Sequence, residues 1–210
     1  MLTIALPKGR IAKETLEIFE TLFGEGFAFD DRKLILDTPK FRFLLVRNQD
    51  VATYVFHQAA DIGVVGLDTL EEQGLDVIRL LDLKRGICKV AIGMKNGEKF
   101  DLNKPDLKVA SKMVNITKRY FEERAVSVDI IKLYGSIELA PLIGLADMIV
   151  DVVETGTTMK QNGLEVVQDI MTSSTYLIAN KNSYIAKKDE VLDIYEKIKS
   201  VIDAEQNDKS

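Results

Sequence analysis

Apolar residues recur along the chain in two alternating rhythms. LTIAL (2–6) is a mostly apolar run ended by Pro7, Lys8 and Gly9, the pattern of a buried strand. IAKETLEIFETLF (11–23) then brings Ile11, Leu16, Phe19, Leu22 and Phe23 near one face at helical spacing, with Gly24 and Gly26 as stops. KLILD and FRFLLVR, within 33–47, predict a strand pair around Thr38 and Pro39. DVATYVFHQ (50–58) predicts a helix with Asp50 as its N-cap. DIGVVG (61–66) predicts a short strand entering a glycine turn, after which Asp68 caps a helix closed by Gly74. LDVIRLLDL and ICKVAIGM follow as strands. NGEKFDLNKPD (96–106) is the most loop-like interior segment and the expected domain junction. LKVAS, VNITKRYFEER and VSVDIIKL then read as strand, helix and strand. In EVLDIYEKIKSVIDAE, a helical stripe holds Val191, Ile194, Tyr195, Ile198, Val201 and Ile202, and EQNDKS (205–210) reads as a frayed tail. This alternation predicts an α/β architecture with parallel strands.

One pattern occurs twice. ADIGVVGLDTLEEQGLDVI (60–78) and ADMIVDVVETGTTMKQNGLEVV (146–167) both run Ala-Asp, apolar strand, turn, short helix, Gly-Leu-acid-Val. Asp61 to Gly74 is 13 positions and Asp147 to Gly163 is 16, so the second copy carries three extra residues in or near its ETGTT turn. Although any strand–turn–helix unit shares part of this outline, the repeat predicts two related α/β lobes with a ligand cleft between them. The extra residues would mark the lobe whose turn is enlarged for a ligand.

Composition narrows the function. The 210 residues are 46% hydrophobic and 29% charged, an ordinary globular balance. No apolar run approaches the ~20 residues needed to span a bilayer, and nothing near the start reads as a signal peptide. A net charge of −5 without basic runs speaks against nucleic-acid and anionic-membrane binding, though it leaves room for small polyanions where basic residues converge. The single cysteine, Cys88, fits a reducing cytoplasm and reads as a buried structural thiol. One histidine, His57, cannot build a His-based metal cluster and reads as a packing or surface residue.

The enlarged turn carries the most chemistry. A strand feeding a glycine turn and a helix start leaves backbone N–H groups without intrahelical partners, and these suit an anion. Gly156 allows close backbone approach, and Thr155, Thr157 and Thr158 can donate hydroxyl hydrogen bonds to phosphate. No Lys follows the glycine, so a Walker-type nucleotide site is not supported. Asp151 and Glu154 precede the turn, and their natural partners are ribose hydroxyls or a magnesium ion. Together these groups suggest a ribose 5-phosphate; a Thr-rich helix cap with solvated acids is the plainer alternative. Lys8 and Arg10, in LPKGR, lie where α/β folds bind ligands, at a strand's carboxyl end, and Arg32 and Arg47 could join them. Arginine suits a pyrophosphate because its planar donors grip oxygens in pairs.

LPKGR (6–10), VRNQDVATYV (46–55), ADIGVVGLDTLEE (60–72) and, most specifically, GSIELAPLIGLADMIVDVVETGTTMKQNGL (135–164) resemble the ATP phosphoribosyltransferase family over nearly the whole chain. The resemblance implies transfer of a phosphoribosyl group from phosphoribosyl pyrophosphate to N1 of ATP, opening histidine biosynthesis in the cytoplasm, with magnesium as cofactor. It implies two α/β lobes like those of type II periplasmic binding proteins, at 1–92 plus 177–210 and at 93–176. The chain is similar to the family's short form. That form works with a separate regulatory subunit resembling histidyl-tRNA synthetase in a hetero-octamer, and a homo-oligomer is expected without it. By resemblance the ETGTT turn holds the 5-phosphate, Asp151 and Glu154 face the ribose directly or through magnesium, and Arg10, with Lys8 and Arg32, stabilises the leaving pyrophosphate. Glu138, Asp68, Ser111 and Arg47 line the site. The competing readings are a non-catalytic bilobal small-ligand-binding module and a phosphoribosyltransferase acting on a free base.

Overall fold

The computed structural model describes residues 1–24, 26–30 and 32–207. The chain divides into two compact units, the first made of Met1–Leu70, Gly74–Gly86 and the residues from Ser174 on, the second of Glu71–Gln73 and Ile87–Ser173. The loop at 96–106 therefore lies inside the second unit, between two of its strands, and is not a junction.

The elements follow in chain order. β1 (Leu2–Pro7), α1 (Arg10–Phe23), β2 (Ile35–Asp37), β3 (Phe41–Val46), α2 (Val51–Phe56), β4 (Ile62–Gly66), α3 (Leu67–Gln73) and β5 (Ile78–Asp82) come first. β6 (Cys88–Lys95), β7 (Lys108–Ser111), α4 (Val114–Glu122), β8 (Asp129–Lys132), α5 (Leu139–Leu142), β9 (Met148–Val153), α6 (Thr157–Gln161) and β10 (Leu164–Ser173) form the second unit's sheet and its helices. β11 (Thr175–Ala179), α7 (Lys181–Ala186) and α8 (Lys188–Asn207) complete the first unit.

The first sheet has the order β2-β3-β1-β4-β11-β5 and the second β10-β6-β9-β7-β8. Read from the opposite edge, the second repeats the first. β1 is parallel to β3 and β4, as β7 is parallel to β8 and β9. Beyond β4 stand β11 and β5, and beyond β9 stand β6 and β10, each antiparallel to its neighbour. The sheets are thus mixed, not all parallel, because a strand running the other way enters each one beside the repeated motif.

The two Ala-Asp starts explain part of this equivalence. The Asp61 N–H donates to the Thr3 carbonyl (2.8 Å), and the Asp61 carboxylate accepts the Thr3 N–H (2.8 Å). Asp147 repeats both bonds with Lys108, at 2.9 and 2.8 Å. Each carboxylate also takes a lysine, Lys187 for Asp61 and Lys104 for Asp147. Burial pushes the Asp61 carboxyl up, but the Lys187 ammonium, the Thr3 amide and the Ser183 hydroxyl outweigh it and hold it below the usual carboxylate range. Asp147 is held low in the same way by Lys104 and the Lys108 amide against a burial penalty.

Both sheets bury apolar residues on both faces. In β1, Leu2, Ile4 and Leu6 point to one layer with Phe19, while Ala5 points to the other with Val51 and Val55, as strand alternation requires. α8 lays Val191, Ile194, Ile198 and Ile202 into the first of these layers. In β9, Met148 and Val150 face the α4 layer and Ile149 the layer of α5 and α6.

Several local expectations are corrected. Asp50 stands at the N-cap of α2 as expected but makes no side-chain capping bond, since it ends a 3-10 turn at Asn48–Asp50 that runs into the helix. α3 starts straight off β4 with Gly66 as its N-cap, so Asp68 lies inside its first turn. α8 reaches Asn207, so residues 205–207 are helical; 208–210 lie outside the described residues. Cys88 is half-buried rather than buried, at the start of β6. His57 is exposed at the end of α2, its ring against Phe56.

Candidate functional site

In the first unit the sheet's geometry gathers the basic candidates at one end. β1 and β3 run parallel in register, with Pro7 opposite Val46, so Lys8 and Arg47 follow their strands at the same edge, where the Lys8 N–H donates to the Val46 carbonyl (2.8 Å). Arg10 opens α1 from Gly9, with its guanidinium 3.6 Å from Glu14. The first turn of this 14-residue helix carries no side-chain cap and no acidic residue, which leaves its N–H groups suited to an anion. Arg32 precedes β2, whose start lies beside the end of β3 through the bond from the Leu45 N–H to Leu34; its φ is +64°, a left-handed conformation. Asp68 enters α3 at the carboxyl end of β4. Lys8, Arg10, Arg32 and Arg47 are all exposed.

The second unit has its own concavity at the matching edge. About 290 Å³ is enclosed by Glu138 and by the continuous run Asp151–Met159. Three residues, Glu154, Thr155 and Gly156, separate β9 from α6, whereas nothing separates β4 from α3. The enlargement read from the repeat therefore falls in the turn itself. Gly156 has φ +75°, which L side chains rarely adopt; a Cβ there would meet only Val153 Cγ1 at 3.9 Å, so its requirement is conformational, not one of space. Thr155 and Thr157 share a hydroxyl hydrogen bond of 2.9 Å. α6 is five residues long, too short for a large dipole, so the weight of any anion contact falls on hydroxyls and turn amides. Met159, its one buried residue, seats the turn on the sheet over Gly93, where a Cβ would come within 2.8 Å of the Met159 sulfur.

Asp151 and Glu154 lie on this concavity, as does Glu138, which stands at the N-cap of α5 without a capping bond. The Asp151 carboxylate accepts the Val152 N–H (2.8 Å) and lies 3.0 Å from the Lys112 ammonium. Sequence reasoning missed Lys112. The signal available was its place directly after β7, the neighbour of β9, with Ser111 in register with Val150. Ser111 is fully buried, its hydroxyl donating to the Val150 carbonyl (2.7 Å) and accepting the Met113 N–H (2.9 Å), so it braces the turn that follows β7.

No group of three or more His, Cys, Asp or Glu side chains able to hold a metal occurs among the described residues. The oxygen donors beside the turn are the carboxylates of Asp151 and Glu154. That set fits magnesium, which is commonly held by one or two carboxylates and otherwise by water and substrate phosphates.

The model of the HisG family, ATP phosphoribosyltransferase, matches residues 47–200. The chain belongs to the ATP phosphoribosyltransferase family. An ATP phosphoribosyltransferase of Sulfurimonas denitrificans is 95% identical over 209 residues, 100% of both chains. Among solved structures, the ATP phosphoribosyl transferase (HisG:HisZ) complex of Thermotoga maritima contains a chain similar to this one with a TM-score of 0.86 and 33% identity, covering 97% of this chain and 100% of that one. The periplasmic aliphatic sulphonate binding protein SsuA of Escherichia coli shares the fold alone, with a TM-score of 0.60 at 13% identity, over 99% of this chain and 71% of that one. The two duplicated α/β sheets thus have a fold like that of the periplasmic binding protein. No helix of the described residues is long and apolar enough to cross a membrane.

Proposed function

We propose that the two units divide the work of one reaction: the second holds the phosphoribosyl group and the first stabilises the departing pyrophosphate. The chain is an ATP phosphoribosyltransferase, which joins N1 of ATP to C1 of phosphoribosyl pyrophosphate in the first step of histidine biosynthesis. The observation that carries the assignment is the concavity in which Thr155–Thr158 stand beside Asp151 and Glu154. The turn's hydroxyls and amides suit the 5-phosphate, and the carboxylates suit the ribose hydroxyls.

N1 of adenine already has a lone pair, so the reaction needs little acid–base help. The barrier lies in losing pyrophosphate while positive charge grows on the ribose, and positioning and charge stabilisation dominate. Arg10, with Lys8 and Arg32, is the group for the leaving pyrophosphate, either within one subunit or from a neighbouring one. The uncapped start of α1 supports this role. Arg47 and Asp68 share that edge as site-lining residues, and Glu138 lines the second concavity. Magnesium, where bound, would be held by Asp151 or Glu154 and substrate oxygens, and would neutralise charge on the pyrophosphate.

The Thermotoga maritima neighbour was solved as a HisG:HisZ complex. We extend that to this chain, with a separate regulatory subunit resembling histidyl-tRNA synthetase in a hetero-octamer, and a homo-oligomer in its absence. The biosynthetic reaction and a composition with a single cysteine support a cytoplasmic location. Family membership sets aside both the non-catalytic binding module and an enzyme acting on free bases.

The test mixes the protein with ATP, phosphoribosyl pyrophosphate and magnesium, with and without the regulatory subunit. Pyrophosphate release that needs both substrates is the expected result. Silence with the regulatory subunit present overturns the proposal.

A further inference from the structure

The concavity of the second unit is lined by the carboxylates of Glu138, Asp151 and Glu154, and by no lysine or arginine. A phosphate ester arriving there meets like charge at close range, where a partly desolvated surface screens it poorly. The cation that answers this lies one residue beyond β7. Ser111 binds the Val150 carbonyl of β9 on one side and the Met113 N–H on the other, so the turn that follows β7 is tied to the strand that carries Asp151. Lys112 is the residue between those two anchors, with its ammonium 3.0 Å from Asp151 Oδ1. The same oxygen accepts the Val152 N–H, so the carboxylate is held from two directions. The Asp151 side chain is 15% exposed and that of Lys112 41%, so the carboxylate is largely covered while the lysine stays open to solvent.

We propose that Lys112 is a positioning residue for phosphoribosyl pyrophosphate. Through its ion pair it fixes the Asp151 carboxylate for the ribose hydroxyls, and it offsets the negative charge of that carboxylate toward the substrate. Ser111 acts one step further back, by setting where Lys112 can reach. The inference rests on the phosphoribosyl reading of the turn.

The experiment is calorimetric titration of the full chain with magnesium–phosphoribosyl pyrophosphate. Lys112→Ala should bind about tenfold more weakly, the scale of one charge-assisted contact. Lys112→Arg should recover most of that loss, which a merely structural role would not require. In an Asp151→Asn background, Lys112→Ala should cost no further affinity, because its effect runs through Asp151. Binding by Lys112→Ala equal to the parent, an arginine variant no better than alanine, or an undiminished loss in the Asp151→Asn background would each overturn the inference. Should the alanine variant lose its fold, Lys112→Gln keeps most of the side chain and reads the charge. A Thr157→Val, Thr158→Val double variant is titrated alongside. If it binds normally, the phosphate-cradle reading fails; if it loses binding while Lys112→Ala does not, only the role of Lys112 fails.

Discussion

Asp61 and Asp147 occupy the same station in different sheets, the first buried and the second half-buried, each closing a two-bond bridge to the parallel strand beside it. Both are held below the ordinary carboxylate range by a lysine and a backbone amide acting against burial. A carboxyl with a lowered folded-state pKa contributes stability that is present above its unfolded value of ~3.9 and is lost as pH falls through the folded value. Urea unfolding between pH 7 and pH 3 should therefore show stability falling below pH ~4, and an Asp61→Asn, Asp147→Asn variant should be less stable at pH 7 with a shallower loss into acid. Gly156 sets a different residue-level limit. Valine there must take a φ near +75° at a cost of about 1–2 kcal/mol, while its Cβ meets nothing closer than ordinary contact. Gly156→Val should keep the fold by circular dichroism and lose phosphoribosyl pyrophosphate binding; normal affinity would rule out the cradle. The enlargement of the turn was legible in the sequence because it interrupts a repeat that otherwise matches. Lys112 was not, because only strand pairing brings residue 112 beside residue 151.

At the scale of elements, periodicity served well where one face is buried and poorly where pairing is irregular. The stripe on α8 was plain, and Val191, Ile194, Ile198 and Ile202 are all buried in the first unit's core. Ile198→Ala should cost about 2–5 kcal/mol by transfer and cavity formation, measurable as a drop in the denaturation midpoint, and Lys199→Ala on the same helix should cost little. β10 was not read as a strand. Its register shifts twice, between Val166 and Gln168 and between Asp169 and Met171, and each bulge breaks the two-residue alternation by which a strand is recognised. Asp50 does stand at the N-cap of α2 but without a side-chain capping bond, and the N-cap of α3 falls at Gly66 instead of Asp68. A 3-10 turn runs into the first and a strand leads straight into the second, and neither helix start has a side-chain capping bond.

For the whole molecule, the repeat in the sequence anticipated the repeat in the sheets, since the Ala-Asp start and the strand after it hold the same topological position in each. The mixed strand directions were hidden, because β11 and β6 come from parts of the chain distant from the strands they join. If the units divide the chemistry as proposed, kinetics should separate them. Arg10→Ala should lower kcat by at least about tenfold with little change in ATP affinity, as expected for a contact made in the transition state. Thr157→Val should instead raise the KM for phosphoribosyl pyrophosphate. Equal losses in turnover and ATP affinity for Arg10→Ala would remove its leaving-group role.

The place of β11 also has a consequence for the order in which the protein can be made. Among the described residues β5 pairs only with β11, and β11 is the strand between β5 and β4. A nascent chain emerges from its amino end, so the ribosome must finish all of β6 through β10 before β11 exists. The second unit, with all its strands in one continuous stretch, can close its sheet first. The first unit waits with an open edge at β4 and an unpaired β5, and strand edges of that kind invite aggregation while they stay exposed. The strands β1–β5, made before any strand of the second unit, thus belong to the part of the molecule that finishes folding last.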